Sequence, residues 1–309
     1  MFITILLLII GFVLLVKGSD LFVDGSASVA RLMGIPAVIV GLTIVSMGTS
    51  APEAAVSITA GFKGSNEIAI SNLVGSNIFN LLCVAGLSAV ITPFLVDKSI
   101  IKRDYPVSLG VMALATVMCL TGRIVSRLEG IILLVIFISY IVYLVVQAIK
   151  NRETDKNLEK PMSPIKSVIF IIIGLAAIVG GGELVVESAK TIARTFGMSE
   201  TLIGVTIVAI GTSLPELVTS IVAAHKGQSE IAIGNVVGSN IFNIMFVLGM
   251  SSAFTPIGVV PEALIDCLVM IGVNVLGYLF CLKGRRLGRV DGIILLIVYI
   301  VYTVYLLMR

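Results

Sequence analysis

Six residues, Gly48-Thr49-Ser50-Ala51-Pro52-Glu53, concentrate unusual chemistry in less than two helical turns, and they return as Gly211-Thr212-Ser213-Leu214-Pro215-Glu216. Both copies lie inside apolar stretches. A helical proline removes one backbone donor and clashes with the carbonyl four residues back. Pro52 would therefore free the carbonyl of Gly48, and Pro215 that of Gly211. The neighbouring glycines loosen each turn further. Each copy thus places freed carbonyls, Thr and Ser hydroxyls and one carboxylate at one level. These are hard oxygen donors, the ligand set of Ca²⁺, Mg²⁺ or Na⁺. A lone kink is usually only a kink, but two matching copies of kink plus carboxylate point to a site. Glu53 and Glu216 are expected to face each other, and their combined −2 would match one Ca²⁺.

A second box, Gly75-Ser76-Asn77-Ile78-Phe79-Asn80, returns as Gly238-Ser239-Asn240-Ile241-Phe242-Asn243. Ser76 and Asn80 are four apart and share a helix face, as do Ser239 and Asn243. Such residues also make helix–helix contacts in membranes. Cation ligation is preferred for these four, whereas close packing and helix bending stay equally open for Gly75 and Gly238. Asn72 and Asn235 could bond the broken backbone of a neighbouring span or serve as ligands. Asp20 and Asp24, matched by Glu183 and Glu187, read as interfacial solvation in preference to a funnel for cations. The four cysteines are spaced for neither a metal nor a disulfide framework and read as buried small hydrophobes. His225 reads as a loop residue. No Ser/His pair, HExxH box or Asp dyad lies in the apolar segments, which argues against an enzyme.

The elements that hold these boxes follow from composition. Of 309 residues, 58% are hydrophobic and 13% charged, against about 25% charged in a soluble domain. A soluble chain this apolar could not cover its surface, and disorder needs the opposite composition. A net charge of +3 is no nucleic-acid footprint. Continuous apolar runs such as Ile3–Val16 and Ile131–Val146 exclude the alternation of a membrane barrel and predict membrane helices. The first run has no basic region before it and no cleavage site, so it reads as a retained span.

The chain is also written twice. Residues 41–80 match 204–243 at an offset of 163, with about two positions in three identical and no gap. We expect an all-α integral membrane protein of ten transmembrane helices, at 2–26, 36–61, 67–92, 104–122, 128–149, 165–189, 199–224, 230–254, 262–282 and 290–308. Residues 1–149 form one five-helix repeat, 150–164 a polar linker, and 165–309 the second repeat. Five is odd, so the repeats would be inverted, a plan common in secondary transporters. With the N-terminus outside, 15 of the 21 basic residues fall inside. The positive-inside rule then puts both termini outside a cell membrane and the linker in the cytoplasm.

The two boxes, taken together, resemble the α-repeats of the sodium/calcium exchangers, within the cation/Ca²⁺ antiporter superfamily, over essentially the whole chain. The resemblance implies ten helices, with spans 2, 3, 7 and 8 as a compact core and spans 1 and 6 long, tilted and mobile. It implies Glu53 and Glu216 as the central Ca²⁺ carboxylates, with backbone carbonyls from Thr49 and Thr212. Ser50, Ser76 and the carbonyl of Ser46 would form a flanking Na⁺ site with Glu53. Ser213, Ser239, Thr212 and the carbonyl of Ala209 would form others near Glu216, and Asn80 and Asn243 would line the centre. Some members, including the potassium-dependent branch, carry Asp where this chain has Asn243, so K⁺ coupling is disfavoured.

The expected activity is exchange of Na⁺ for Ca²⁺ by alternating access, with Ca²⁺ and Na⁺ competing for the two glutamates. Three Na⁺ per Ca²⁺, as the resemblance implies, would make exchange electrogenic. No cofactor, no nucleic acid and no obligatory protein partner is expected beyond the transported ions and lipid. The alternative is H⁺/Ca²⁺ antiport on the same scaffold, disfavoured by the surrounding hydroxyls. A cation channel is a further rival.

Overall fold

The computed structural model describes all residues except 65, 151–159, 199–206, 208 and 309. It is almost wholly helical. In chain order the helices are α1 (Phe2–Met33), α2 (Ala37–Thr49), α3 (Ala51–Phe62) and α4, which runs Asn66–Phe79 through a π-helical turn at Asn80–Ala85 to Gly86–Ile91. Next come α5 (Tyr105–Leu120), α6 (Arg127–Lys150), α7 (Pro164–Thr195), α8 (Ala209–Thr212) and α9 (Leu214–His225). The last three are α10 (Ser229–Phe254), α11 (Pro261–Leu282) and α12 (Arg289–Met308). His225 closes α9 and is exposed, so the expected loop position gives way to the last turn of a helix.

Among the described residues, seven helices are long and apolar enough to cross a membrane, and the bent pair α2–α3 raises the number to eight. Of the other two expected spans, 104–122 contains a regular helix of only 16 residues, α5, continued from a π-helical turn at Ile100–Asp104. Span 199–224 begins outside the described residues, as do the middle of linker 150–164 and the start of the repeat 204–243.

Burial separates centre from rim. In the most apolar windows of α10 and α4, 94% and 78% of residues are buried, against 11% for α12 and 22% for α1. The polar residues of the second box ride on α4 and α10, and the apolar flanks of α12 and α1 turn outward. For a chain solvated by hydrocarbon, exposed Ile, Leu and Val on the rim carry no penalty.

Helices α1 and α7 are longer than the expected 2–26 and 165–189. Asp20 and Asp24 on the first span pair with a lysine from far along the chain. Lys226 Nζ lies 2.8 Å from Asp24 Oδ1 and 3.2 Å from Asp20 Oδ1. Ser28 Oγ meets Ser167 Oγ at 2.8 Å. α1 continues to Met33 and stops where Gly34 turns left-handed (φ 63°), two residues before Pro36. The two long helices pack backbone to backbone. A methyl placed on Gly174 would lie 2.6 Å from the Phe22 nitrogen, and one on Gly18 would lie 2.9 Å from the Gly174 carbonyl, so only glycine permits this approach.

Two small antiparallel ladders tie distant loops together. β1 (Phe94–Leu95) pairs with β4 (Arg286–Leu287), and β2 (Ile124–Val125) pairs with β3 (Ile257–Gly258). All four cysteines are free and buried.

Candidate ion-binding site

Both proline boxes break the helix at the serine. Ser50 (φ −83°, ψ 9°) separates α2 from α3, which diverge by 52°. Ser213 (φ −94°, ψ 7°) separates α8 from α9. Pro52 and Pro215 then fall in the first turn of the new helix, where a missing N–H costs nothing. Glu53 and Glu216 fall in that same first turn, where the helix dipole favours a carboxylate.

The two breaks interlock. Ser213 Oγ donates to Glu53 Oε1 at 2.8 Å, and Ser50 Oγ donates to Glu216 Oε1 at 2.7 Å. Ser213 Oγ also lies 3.3 Å from Ser76 Oγ. Glu53, Glu216, Ser50 and Ser213 are each 0% exposed. Each serine thus serves the glutamate of the other copy. Ser76 meets Ser213, and Ser50 and Ser213 bond across, where the expected grouping set Ser50 with Glu53 and Ser213 with Glu216. Thr49, Thr212 and Ser239 are buried at the same breaks and on α10. Thr49 Oγ1 donates to Asn235 Oδ1 at 3.0 Å. The Ser46 carbonyl accepts the Ser50 N–H at 3.0 Å and so is not a wholly freed group. Ala209 opens the short helix α8.

Asn72 and Asn235 support the broken backbone, the first of their two expected roles. Asn72 Nδ2 donates to Ser57 Oγ at 2.9 Å and reaches the Glu53 carbonyl at 3.5 Å. Asn235 Nδ2 repeats this with Ser220 Oγ at 2.9 Å and the Glu216 carbonyl at 3.4 Å. Of the two roles left open for these glycines, close packing holds at Gly238 and not at Gly75. A methyl on Gly238 would lie 2.7 Å from Ser46 Oγ, so α10 needs glycine to pack against α2, whereas a methyl on Gly75 would meet nothing within 4 Å. Asp20 and Asp24 are half-buried, Glu187 is exposed, and all three pair with lysines, with Lys190 2.7 Å from Glu187 Oε1.

Among the described residues, a matched set of buried oxygens has no hydrogen-bond donor. It comprises Glu53 Oε2, Glu216 Oε2, Asn80 Oδ1 and Asn243 Oδ1, with Ser239 Oγ also unpartnered. Buried acceptors are rarely left so, because each costs about 1–3 kcal/mol and more when charged. Four unpaired oxygens, two of them from carboxylates, suit a hard cation. The unpaired donors are all oxygens, a set that does not suit a soft metal. A cavity of about 80 Å³, room for several waters, adjoins the site. It is lined by Asn72 and Ser76 on α4, Ile210 on α8 and Tyr299 and Thr303 on α12.

Three residues of this centre were not singled out from the sequence. Asn77, Asn240 and Asn274 are buried and bond the amides of Asn243, Asn80 and Asn240 respectively. Asn77 and Asn240 belong to the second box, so their repetition was a signal. Asn274 corresponds to Met112 in the other copy and gives none.

Known proteins share this sequence and this fold. Residues 3–146 and 166–308 match the profile of the sodium/calcium exchanger protein family. The chain is 37% identical to the inner membrane protein YrbG of Escherichia coli, covering 94% of this chain and 92% of that one. It is 33% identical to the sodium/calcium exchanger MaX1 of Methanosarcina acetivorans, over 97% of each chain. Structures of the sodium-calcium exchanger NCX_Mj soaked with Na⁺ and Ca²⁺ superpose with a TM-score of 0.85 at 36% identity, covering 97% of both chains.

Proposed function

The chain belongs to the sodium/calcium exchanger protein family, and on that premise we propose that it exchanges Na⁺ for Ca²⁺ at the crossed glutamate site by alternating access. The family is one of membrane exchangers rather than enzymes, and its transported ions are Na⁺ and Ca²⁺. One observation carries the site assignment: the four unpaired buried oxygens of Glu53, Glu216, Asn80 and Asn243.

Ca²⁺ sits between the two carboxylates, whose −2 it neutralises, with carbonyls of Thr49 and Thr212 completing its shell. The crossed hydrogen bonds favour a regrouping of the flanking Na⁺ ligands. One subsite takes Glu53, Ser76, Thr212, Ser213 and the Ala209 carbonyl. The other takes Glu216, Ser239, Thr49, Ser50 and the Ser46 carbonyl. Both share their carboxylate with the Ca²⁺ position, so the ions compete. Three Na⁺, one in each subsite and one in the Ca²⁺ position, leave a surplus of +1, and exchange is electrogenic.

The architecture we infer is ten spans in two inverted repeats, 1–149 and 165–309, joined by a cytoplasmic linker at 150–164. Both termini face outward from a cell membrane. The closely packed pair α1 and α7 slides across the buried α4 and α10 to seal the site from each face in turn. Reconstitution into liposomes loaded with ⁴⁵Ca²⁺ under separate Na⁺, K⁺ and H⁺ gradients tests this. Flux driven by Na⁺ alone is expected. Flux driven by a pH gradient in the absence of Na⁺ would replace the reading with H⁺/Ca²⁺ antiport, and flux without any counter-ion would replace it with a channel.

A further inference from the structure

The two central amides are not free to choose which end they show. A side-chain amide has an acceptor at one end and donors at the other, in nearly the same shape. An Asn that bordered a cation with its N–H₂ would repel it. Asn80 and Asn243 both leave Oδ1 unpartnered, and two hydrogen-bond chains account for it.

The first chain starts from a backbone carbonyl, which can only accept. Asn274 Nδ2 donates to the Met270 carbonyl at 2.8 Å. That leaves Asn274 Oδ1 to accept from Asn240 Nδ2 at 3.2 Å. Asn240 Oδ1 is then the acceptor for Asn80 Nδ2 at 3.3 Å. The second chain starts from the Asn240 carbonyl, which accepts from Asn77 Nδ2 at 3.3 Å. Asn77 Oδ1 accepts from Asn243 Nδ2 at 3.1 Å. Every amide here is buried, so reversing one would set donor against donor away from water. The direction of each chain is fixed at its backbone end and ends at a central amide with its oxygen unclaimed.

We propose that Asn77, Asn240 and Asn274 are positioning residues that hold the amides of Asn80 and Asn243 oxygen-first toward the transported cation. This rests on the reading that Asn80 and Asn243 border the ion site. Asn274 lies on α11, outside both repeated boxes, and is an anchor that one copy has and the other lacks.

The test is a pair of double-mutant cycles on the purified full-length protein. Ca²⁺ binding is measured calorimetrically in Na⁺-free detergent solution, alongside the unfolding midpoint. Asn77→Leu removes the acceptor that orients Asn243 and should weaken Ca²⁺ binding about 10- to 100-fold, as outer-shell losses at metal sites do. A carboxylate shows oxygen whichever way it turns. In an Asn243→Asp background, Asn77→Leu should therefore change Ca²⁺ affinity less than about twofold. Asn274→Leu should behave alike, with Asn80→Asp as its rescuing background, and carries the test if Asn77→Leu does not fold. An equal loss in both backgrounds would mark a merely structural role and overturn the proposal. So would wild-type affinity in Asn77→Leu and Asn274→Leu. If the unmodified protein itself shows no Ca²⁺ binding that Na⁺ displaces, the exchanger reading fails first and this proposal with it.

Discussion

Ser213→Ala tests whether the hydroxyl that bridges the two halves belongs to the Na⁺ site. The hydroxyl donates to Glu53 Oε1 at 2.8 Å and lies 3.3 Å from Ser76 Oγ, and Ser213 is 0% exposed. Ser213 Oγ is a proposed Na⁺ ligand that also orients Glu53, and losing an orienting group at a metal site costs about 10- to 100-fold in affinity, so the Na⁺ subsite at Glu53 should weaken by roughly that factor. Ca²⁺ keeps both carboxylates, so its half-saturation moves less. The assay is the Na⁺ concentration that half-displaces bound ⁴⁵Ca²⁺. Ser252→Ala is the control. Ser252 is equally buried but donates within its own helix, to the Leu248 carbonyl at 2.6 Å. If Ser213→Ala shifted the Na⁺ midpoint no more than Ser252→Ala does, Ser213 would not belong to the Na⁺ site and the crossed grouping would be wrong.

Two further outcomes are expected. Gly174→Ala forces a methyl to within 2.6 Å of the Phe22 backbone, so α1 and α7 must part at a cost of about 1–3 kcal/mol; transport should slow far more than equilibrium Ca²⁺ binding weakens, and equal losses in both would deny these helices a role in moving the ions. A potential of 100 mV imposed across proteoliposomes is worth about 2.3 kcal/mol per elementary charge, so the Ca²⁺ ratio held by a fixed Na⁺ gradient should shift by roughly 50-fold, and no shift would mean electroneutral exchange.

Much of this was legible in the residues. The repeated Gly-Thr-Ser-x-Pro-Glu box placed a break in each half, and the breaks fall at Ser50 and Ser213 because proline tolerates only a helix's first turn. Other features depend on partners that spacing cannot name. Nothing local says that Ser213 serves Glu53 rather than Glu216, since the two copies offer the same chemistry and only their packing decides. The pairing of Asp20 and Asp24 with Lys226, some 200 positions away, is likewise outside what spacing can name. Gly75 and Gly238 occupy matching places in matching boxes, yet only Gly238 is pressed against a neighbour. Asn274 has no repeated counterpart, so the repeat gives no sign of it.

The central claim is that Na⁺ and Ca²⁺ share two buried carboxylates. Na⁺-driven ⁴⁵Ca²⁺ uptake by proteoliposomes carrying Glu53→Gln or Glu216→Gln tests it most directly. With one carboxylate gone, the remaining −1 cannot neutralise Ca²⁺ in a buried site, and uptake should fall to the level of protein-free liposomes for each variant. Uptake that survived either substitution would contradict the shared site.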